Sequence, residues 1–223
     1  MRPRNQMTLT VRVEVDEVRS RLAELGLEET SIAEVVRRGY GVFISCTAND
    51  PPLFPGFAAW AQMVRALREY LLPQNWERSN ENNYSLVINP EGTMAIAVAT
   101  GDDATGRVGV TPTTKSSKGP STVEAVTSNQ FQLSLDFPPV SISSPEQLAD
   151  DDNRMTWILL VHRAVSEVRC ELSLPRSMGN DGHIDSWQER IILGSIPVDT
   201  ELLEITPSQP SPPDINIDIK RRA

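Results

Sequence analysis

Between residues 101 and 129 the chain reads GDDATGRVGVTPTTKSSKGPSTVEAVTSN, a stretch of glycines, small hydroxyls and three cationic side chains. Gly101, Gly106, Gly109 and Gly119 let the backbone come close to a ligand and adopt positive φ. Arg107, Lys115 and Lys118 supply positive charge, while Thr113, Thr114, Ser116 and Ser117 supply hydroxyls. In the KGPST segment Ser121 or Thr122 is placed to cap a short helix, and N–H groups at such a terminus beside lysines suit a phosphate. These types and spacings point to a site for a phosphate-bearing ligand, a nucleic acid or a partner protein. Its residues are Arg107, Thr113, Thr114, Lys115, Ser116, Lys118, Gly119, Ser121 and Thr122. The order Gly-x-x-x-x-Gly-Lys-[Ser/Thr] is absent, so this is not a Walker A loop. A structureless connection of this length is characteristically functional or disordered.

A second chemistry starts from acids. Asp102 and Asp103 follow a strand pattern directly, and Glu171 lies within a later one; together they offer hard oxygen ligands to a divalent cation. Taken in order, Glu69, Asp102 or Asp103, and Glu171 resemble the acids of a PD-(D/E)xK nuclease, which also sets a helix before a hairpin. The resemblance covers element order alone, and Ser173 stands two positions after Glu171, where that family carries lysine. It implies a metal-dependent phosphodiesterase as the enzymatic alternative, with Asp102, Asp103 and Glu171 on the metal.

Other chemistries find less support. His162 and His183 have no HxxxH, HExxH or Cys/His partner, no Gly-x-Ser-x-Gly elbow occurs, and Cys46 lies in ISCTAND without a catalytic signature. A further alternative is a winged-helix DNA-binding module over 11–100. There Gln62, Arg65 and Arg68 would form the reading face and the NPEG hairpin the wing, although Glu91 at its tip opposes phosphate.

The elements that must position these residues divide by period. Val11, Val15, Val18, Leu22 and Leu25 recur at helical spacing before Gly26, a plausible stop. Thr30 or Ser31 is placed to cap a second helix, with Ile32, Val35, Val36, Tyr40, Phe43 and Ile44 as its stripe and Gly39 and Gly41 as the point where it breaks. The turn-rich NDPPLFPG (49–56) leads to a third helix marked by Phe57, Trp60, Val64, Leu67 and Leu71 and ended by Pro73. Period two then takes over. Strands at 84–89 and 93–100 flank NPEG, and another, 130–137, shows Phe131, Leu133, Leu135 and Phe137 on one face. A proline- and acid-rich connection, 138–153, precedes a hairpin of 157–163 with 167–174; a short helix at 184–190 and a strand at 191–196 complete the pattern.

The expectation is an α+β fold: an N-terminal helical layer of about three helices on a mainly antiparallel sheet of two hairpins plus one or two extra strands. Residues 1–10 read as a flexible leader, with Met7 as the true start. Residues 11–206 read as one domain, helical over 11–73 and sheet over 77–206. The tail 207–223, rich in proline and serine, reads as disordered. Its INIDIKRR end alternates, as a strand added to a partner's sheet would. Of the four tryptophans, Trp76 is the one that could form an exposed platform, core packing being the default for all. The net charge of −9 argues against non-specific coating of nucleic acid, while leaving room for a local basic site. The two cysteines are far apart and read as free buried thiols. Without a signal-like or membrane-spanning apolar run, the expected address is cytoplasmic. Binding, rather than catalysis, is the function these features favour, with a protein partner expected and no cofactor required beyond a cation in the enzymatic alternative.

Overall fold

A computed structural model describes residues 9–135 and 154–198, the last five of the first segment as backbone only. The chain is α+β, as its patterning indicates. The elements run β1 (Thr10–Arg12), α1 (Val15–Glu24), α2 (Glu29–Ser45), α3 (Phe54–Leu71), β2 (Glu77–Ser79), β3 (Leu86–Ile88) and β4 (Met94–Thr100). They continue with α4 (Pro120–Leu135), β5 (Met155–Arg163), β6 (Glu167–Met178), β7 (Ile184–Ile192) and β8 (Ile196–Pro197). The tail 207–223, the connection 138–153 and the first eight residues of the leader lie outside the described residues. The ninth and tenth lie inside them; β1 takes Thr10 and also Val11, read as the first residue of a helical stripe, so the first helix begins only at Val15.

The sheet is mixed rather than mainly antiparallel, with order β1-β7-β6-β5-β4-β3-β2 and β8 paired to β6. β4 runs parallel to β5, and β1 parallel to β7. The first of these pairings overturns the expected run of strands. Parallel neighbours cannot be joined by a tight turn and need a crossover, characteristically a helix. Residues 130–137, read as a strand, therefore belong largely to α4, which carries the chain from the end of β4 back to the start of β5. Phe137 lies outside the described residues. The supposed structureless stretch 101–129 shrinks to 101–119.

The second correction lies in β7. Ile184, Trp187 and Ile191 have helix-like spacing, yet 184–192 is a strand antiparallel to β6. Register shifts at Leu174/Pro175, Pro175/Ser177 and Ser177/Met178 explain the disguise: an irregular ladder breaks period two and brings Ile184 and Trp187 into the same core cluster.

Helices α1–α3 cover one face of the sheet and α4 the other. Met94, Ile96, Val98, Trp157 and Leu159 pack with the helical layer, while Ala97, Ala99, Ile158 and Leu160 pack with Val126 of α4. α1 ends as Gly26 foretells: the glycine has φ +71°, its N–H donates to Ala23 O (3.0 Å), and Leu27 N–H donates to Leu22 O (2.9 Å). α2 begins at Glu29, just before the expected caps, and runs through both glycines without breaking. Gly39 is there for proximity, since a Cβ on it would lie 2.3 Å from Met63 Cγ and 3.0 Å from Ala59 O of α3. Trp76 is buried in the main core, not an exposed platform. Asn129 fastens α4 to the sheet, donating to Thr156 O (2.9 Å) and accepting from Thr156 N–H (2.7 Å). No helix among the described residues is long and apolar enough to cross a membrane.

Candidate functional site

The segment 101–119 is an ordered strap whose polar backbone is met from beneath by side chains of β6 and β7. At the centre of these anchors is a buried ion pair. Arg190 donates to both oxygens of Glu171 (Nε–Oε1 3.0 Å, Nη2–Oε2 2.6 Å), and the two side chains are 1% and 0% exposed. Glu171 also accepts from Gly106 N–H at 2.9 Å and Ser173 Oγ at 2.8 Å. The other edge of Arg190 donates to Val110 O and Arg107 O, Arg169 donates to Thr105 O and Asp103 O, and Trp187 Nε1 donates to Pro112 O. A strap of this composition has no side chains to form a core, so its carbonyls need donors wherever they leave water. The arginines of the sheet provide them.

The strap closes on itself at an isolated antiparallel bridge between Gly101 and Thr114. Gly101 N–H donates to Val161 O (2.9 Å), and Lys115 N–H donates to Thr100 O (2.9 Å). Both histidines face carbonyls of this bridge through Nδ1: His162 at Gly101 O (3.3 Å) and His183 at Thr114 O. A carbonyl can only accept, so each contact is a hydrogen bond when Nδ1 carries a proton. Glycine is required at 101, because a Cβ there would lie 2.1 Å from Thr105 Oγ1 and 2.7 Å from Leu160 Cγ.

These bonds also place the acids. Asp102 accepts from Ala104 N–H, Thr113 N–H and Thr113 Oγ1 at 3.0–3.1 Å and stabilises the strap's own turn. Asp103 is 80% exposed and 3.9 Å from Arg107. Glu69 sits on α3 beside Arg38 and Arg65, whose hydrogen bonds hold its carboxyl below the usual range, Arg65 contributing most. No group of three His, Cys, Asp or Glu side chains that could hold a metal occurs among the described residues. The expected wing is internal to the sheet: β4 is buried between β3 and β5, and Arg68 donates to Ser79 O and Leu86 O beneath it.

Arg107 apart, the predicted binding residues divide into three environments. Thr113 and Thr114 are structural: Thr113 bonds Asp102, and Thr114 Oγ1 accepts from Ile184 N–H. Lys118, Gly119, Ser121 and Thr122 gather at the start of α4. Lys118 N–H donates to Gly182 O there, burial lowers the side-chain pKa, and Ser121 Oγ donates to Asn82 O. Lys115 and Ser116 instead turn their exposed side chains toward a cleft of about 490 Å³ at the carboxyl ends of β4 and β5. Crevices at the carboxyl ends of parallel strands are where open α/β sheets bind ligands. The opposite wall of the cleft is α2, the α2–α3 turn and the start of α3, including Tyr40, Phe43, Leu53 and Phe57. Arg163, at the end of β5, lies over the Phe43 ring at 3.3 Å from its centroid. A neighbouring cavity of about 540 Å³ shares Tyr40, Phe43, His162 and Arg163 and adds Arg107.

Sequence reasoning identified Lys115 and Ser116 but missed their partners on α2 and β5. The signal for Arg163 and His162 was present, an HR pair ending a buried strand. Their nearness to Lys115 depends on β4 and β5 being parallel neighbours, which periodicity alone does not reveal. No family model matches the chain, and neither curated proteins nor solved structures yield a match.

Proposed function

We propose that the protein is a non-enzymatic binding protein whose cleft between the strap and the helical layer takes a phosphate-bearing ligand. The observation that carries this is the convergence of Lys115, Ser116 and Arg163 at the carboxyl ends of the parallel pair β4/β5, in a cleft whose other wall is apolar. Its volume, about 490 Å³, falls in the range of small-molecule sites. The net charge of −9 makes such a local cationic patch selective, since the rest of the surface repels polyanions. The strap anchors hold Lys115 in place before any ligand arrives, which limits the ordering cost of binding.

Calorimetric titration with inorganic phosphate tests the proposal. Lys115→Ala removes one charge-assisted contact, worth roughly 1.5–3 kcal/mol, so the affinity should fall about 10- to 100-fold. Lys118→Ala serves as the control and should leave it unchanged. Equal losses in both variants, or none in either, would overturn the assignment to this cleft.

A further inference from the structure

The mouth of the cleft carries apolar side chains that the described residues leave uncovered. Leu53 is 86% exposed, Phe57 62% and Phe54 44%, in the PPLFPGF segment that ends the α2–α3 turn and begins α3. Leu53 and Phe57 line the same cleft as Lys115, Ser116 and Arg163. Single exposed apolar residues are ordinary, but three large ones in five positions, two of them lining a cavity, are not. Prolines at 51, 52 and 55 limit the backbone freedom of the turn, so the side chains are displayed by a stiff segment. Phe57 is further braced by Trp60, with ring centroids 5.7 Å apart, and Trp60 Nε1 donates to Val98 O in the sheet.

We infer that the ligand is an anionic amphiphile: a phosphate monoester bearing an alkyl or acyl chain, its head at Lys115 and Arg163 and its chain against Leu53 and Phe57. Charge complementarity sets the head, and the uncovered rim sets the chain. A phosphate alone would leave that rim in water, and a wholly apolar ligand would bring no counter-charge to Lys115 and Arg163. The inference rests on the phosphate-binding cleft proposed above and adds the chemical class of what the phosphate carries. The same chemistry is offered by a free alkyl phosphate and by the headgroup of a phosphatidate in a bilayer.

The test is an affinity series of ethyl, butyl, hexyl and octyl phosphate, each kept monomeric, with inorganic phosphate as the reference. Full burial of a methylene strengthens binding about fourfold, so the affinity should climb steadily along the series. Leu53→Ser with Phe57→Ser should flatten that climb and weaken octyl phosphate at least tenfold while leaving inorganic phosphate as it was. Both residues are exposed, so the variant retains its core. Phosphatidate vesicles form the second arm. Retention that depends on Lys115 and Leu53 supports the bilayer source, and binding of the monomers alone supports the soluble one. A flat series on the native protein would overturn the amphiphile while leaving the phosphate cleft standing. Loss of inorganic phosphate binding itself would instead remove the cleft.

Discussion

Removing the negative charge of Glu171 should loosen the whole domain. In Glu171→Gln the Arg190 guanidinium, 1% exposed, stays buried with no counter-charge. The new amide also turns an N–H toward the donors that the carboxylate accepted, from Arg190, Gly106 and Ser173. Breaking a buried pair on one side costs about 3–5 kcal/mol. For a chain of this size each kcal/mol shifts Tm by about 2–4 °C, so the melting point should fall by roughly 6–20 °C. A double variant, Glu171→Met with Arg190→Met, removes both charges. It leaves the Gly106 N–H and the carbonyls of Arg107 and Val110 without these partners at the strap, and the Ser173 hydroxyl without its acceptor in the sheet. It should lie within about 2 kcal/mol of the native protein, well above the single variant. Urea unfolding followed by tryptophan fluorescence measures both, and hydrogen exchange should show the Gly106 amide released in the double variant. The reasoning is refuted if Glu171→Gln lies within 1 kcal/mol of native, or if the double variant is no more stable than the single one.

Glycine substitutions in α2 separate proximity from propensity. Gly41→Ala meets nothing within 4 Å and should stabilise by about 0.5–1 kcal/mol, whereas Gly39→Ala meets Met63 and the Ala59 carbonyl and should destabilise by about 1–3 kcal/mol in the same urea assay. A pH dependence should follow from Glu189. Burial raises its pKa, but hydrogen bonds from Arg21 and Arg12 more than offset this, and the net shift is downward. A carboxyl with a lowered folded pKa contributes stability that is complete above its unfolded value, about 4.3, and fades as pH falls through the folded value. The advantage of the native protein over Glu189→Gln should therefore hold from pH 7 to about 5 and close below that; a gap constant down to pH 2 would contradict it. Thiol reactivity should differ as well: burial pushes Cys170 up to about 12, so a disulfide reagent at pH 8 should leave it unmodified until the chain unfolds.

Much of the architecture was legible where one period ruled a whole element. α1 and α3 show uninterrupted apolar stripes, and the β3–β4 turn carries NPEG, with Gly92 at φ +72° and its N–H on Asn89 O. The β5–β6 hairpin was equally plain. What escaped was set by tertiary context. Phe131, Leu133 and Leu135 alternate as a strand would, yet the parallel pairing of β4 and β5 demands a helix between them. In β7 an irregular ladder disguises a strand as a helix, and at Gly39 close helix packing, not a break, explains the glycine. The strap was recognised as unusual from composition alone. Its carbonyls, however, are met by Arg169, Arg190 and Trp187, 64 or more residues further along the chain, which no local pattern connects to it. For the same reason Lys115 was visible as a candidate and Arg163 was not.

The central claim is that phosphate binds at the carboxyl ends of β4 and β5, between Lys115 and Arg163. Titrating isotopically labelled protein with inorganic phosphate and following every amide by NMR tests it most directly. The account predicts saturable shifts clustered at Gly101, Lys115, Ser116 and Arg163 that disappear in Lys115→Ala. Shifts centred on 118–122 at the start of α4, or no saturable shift at all, would contradict it.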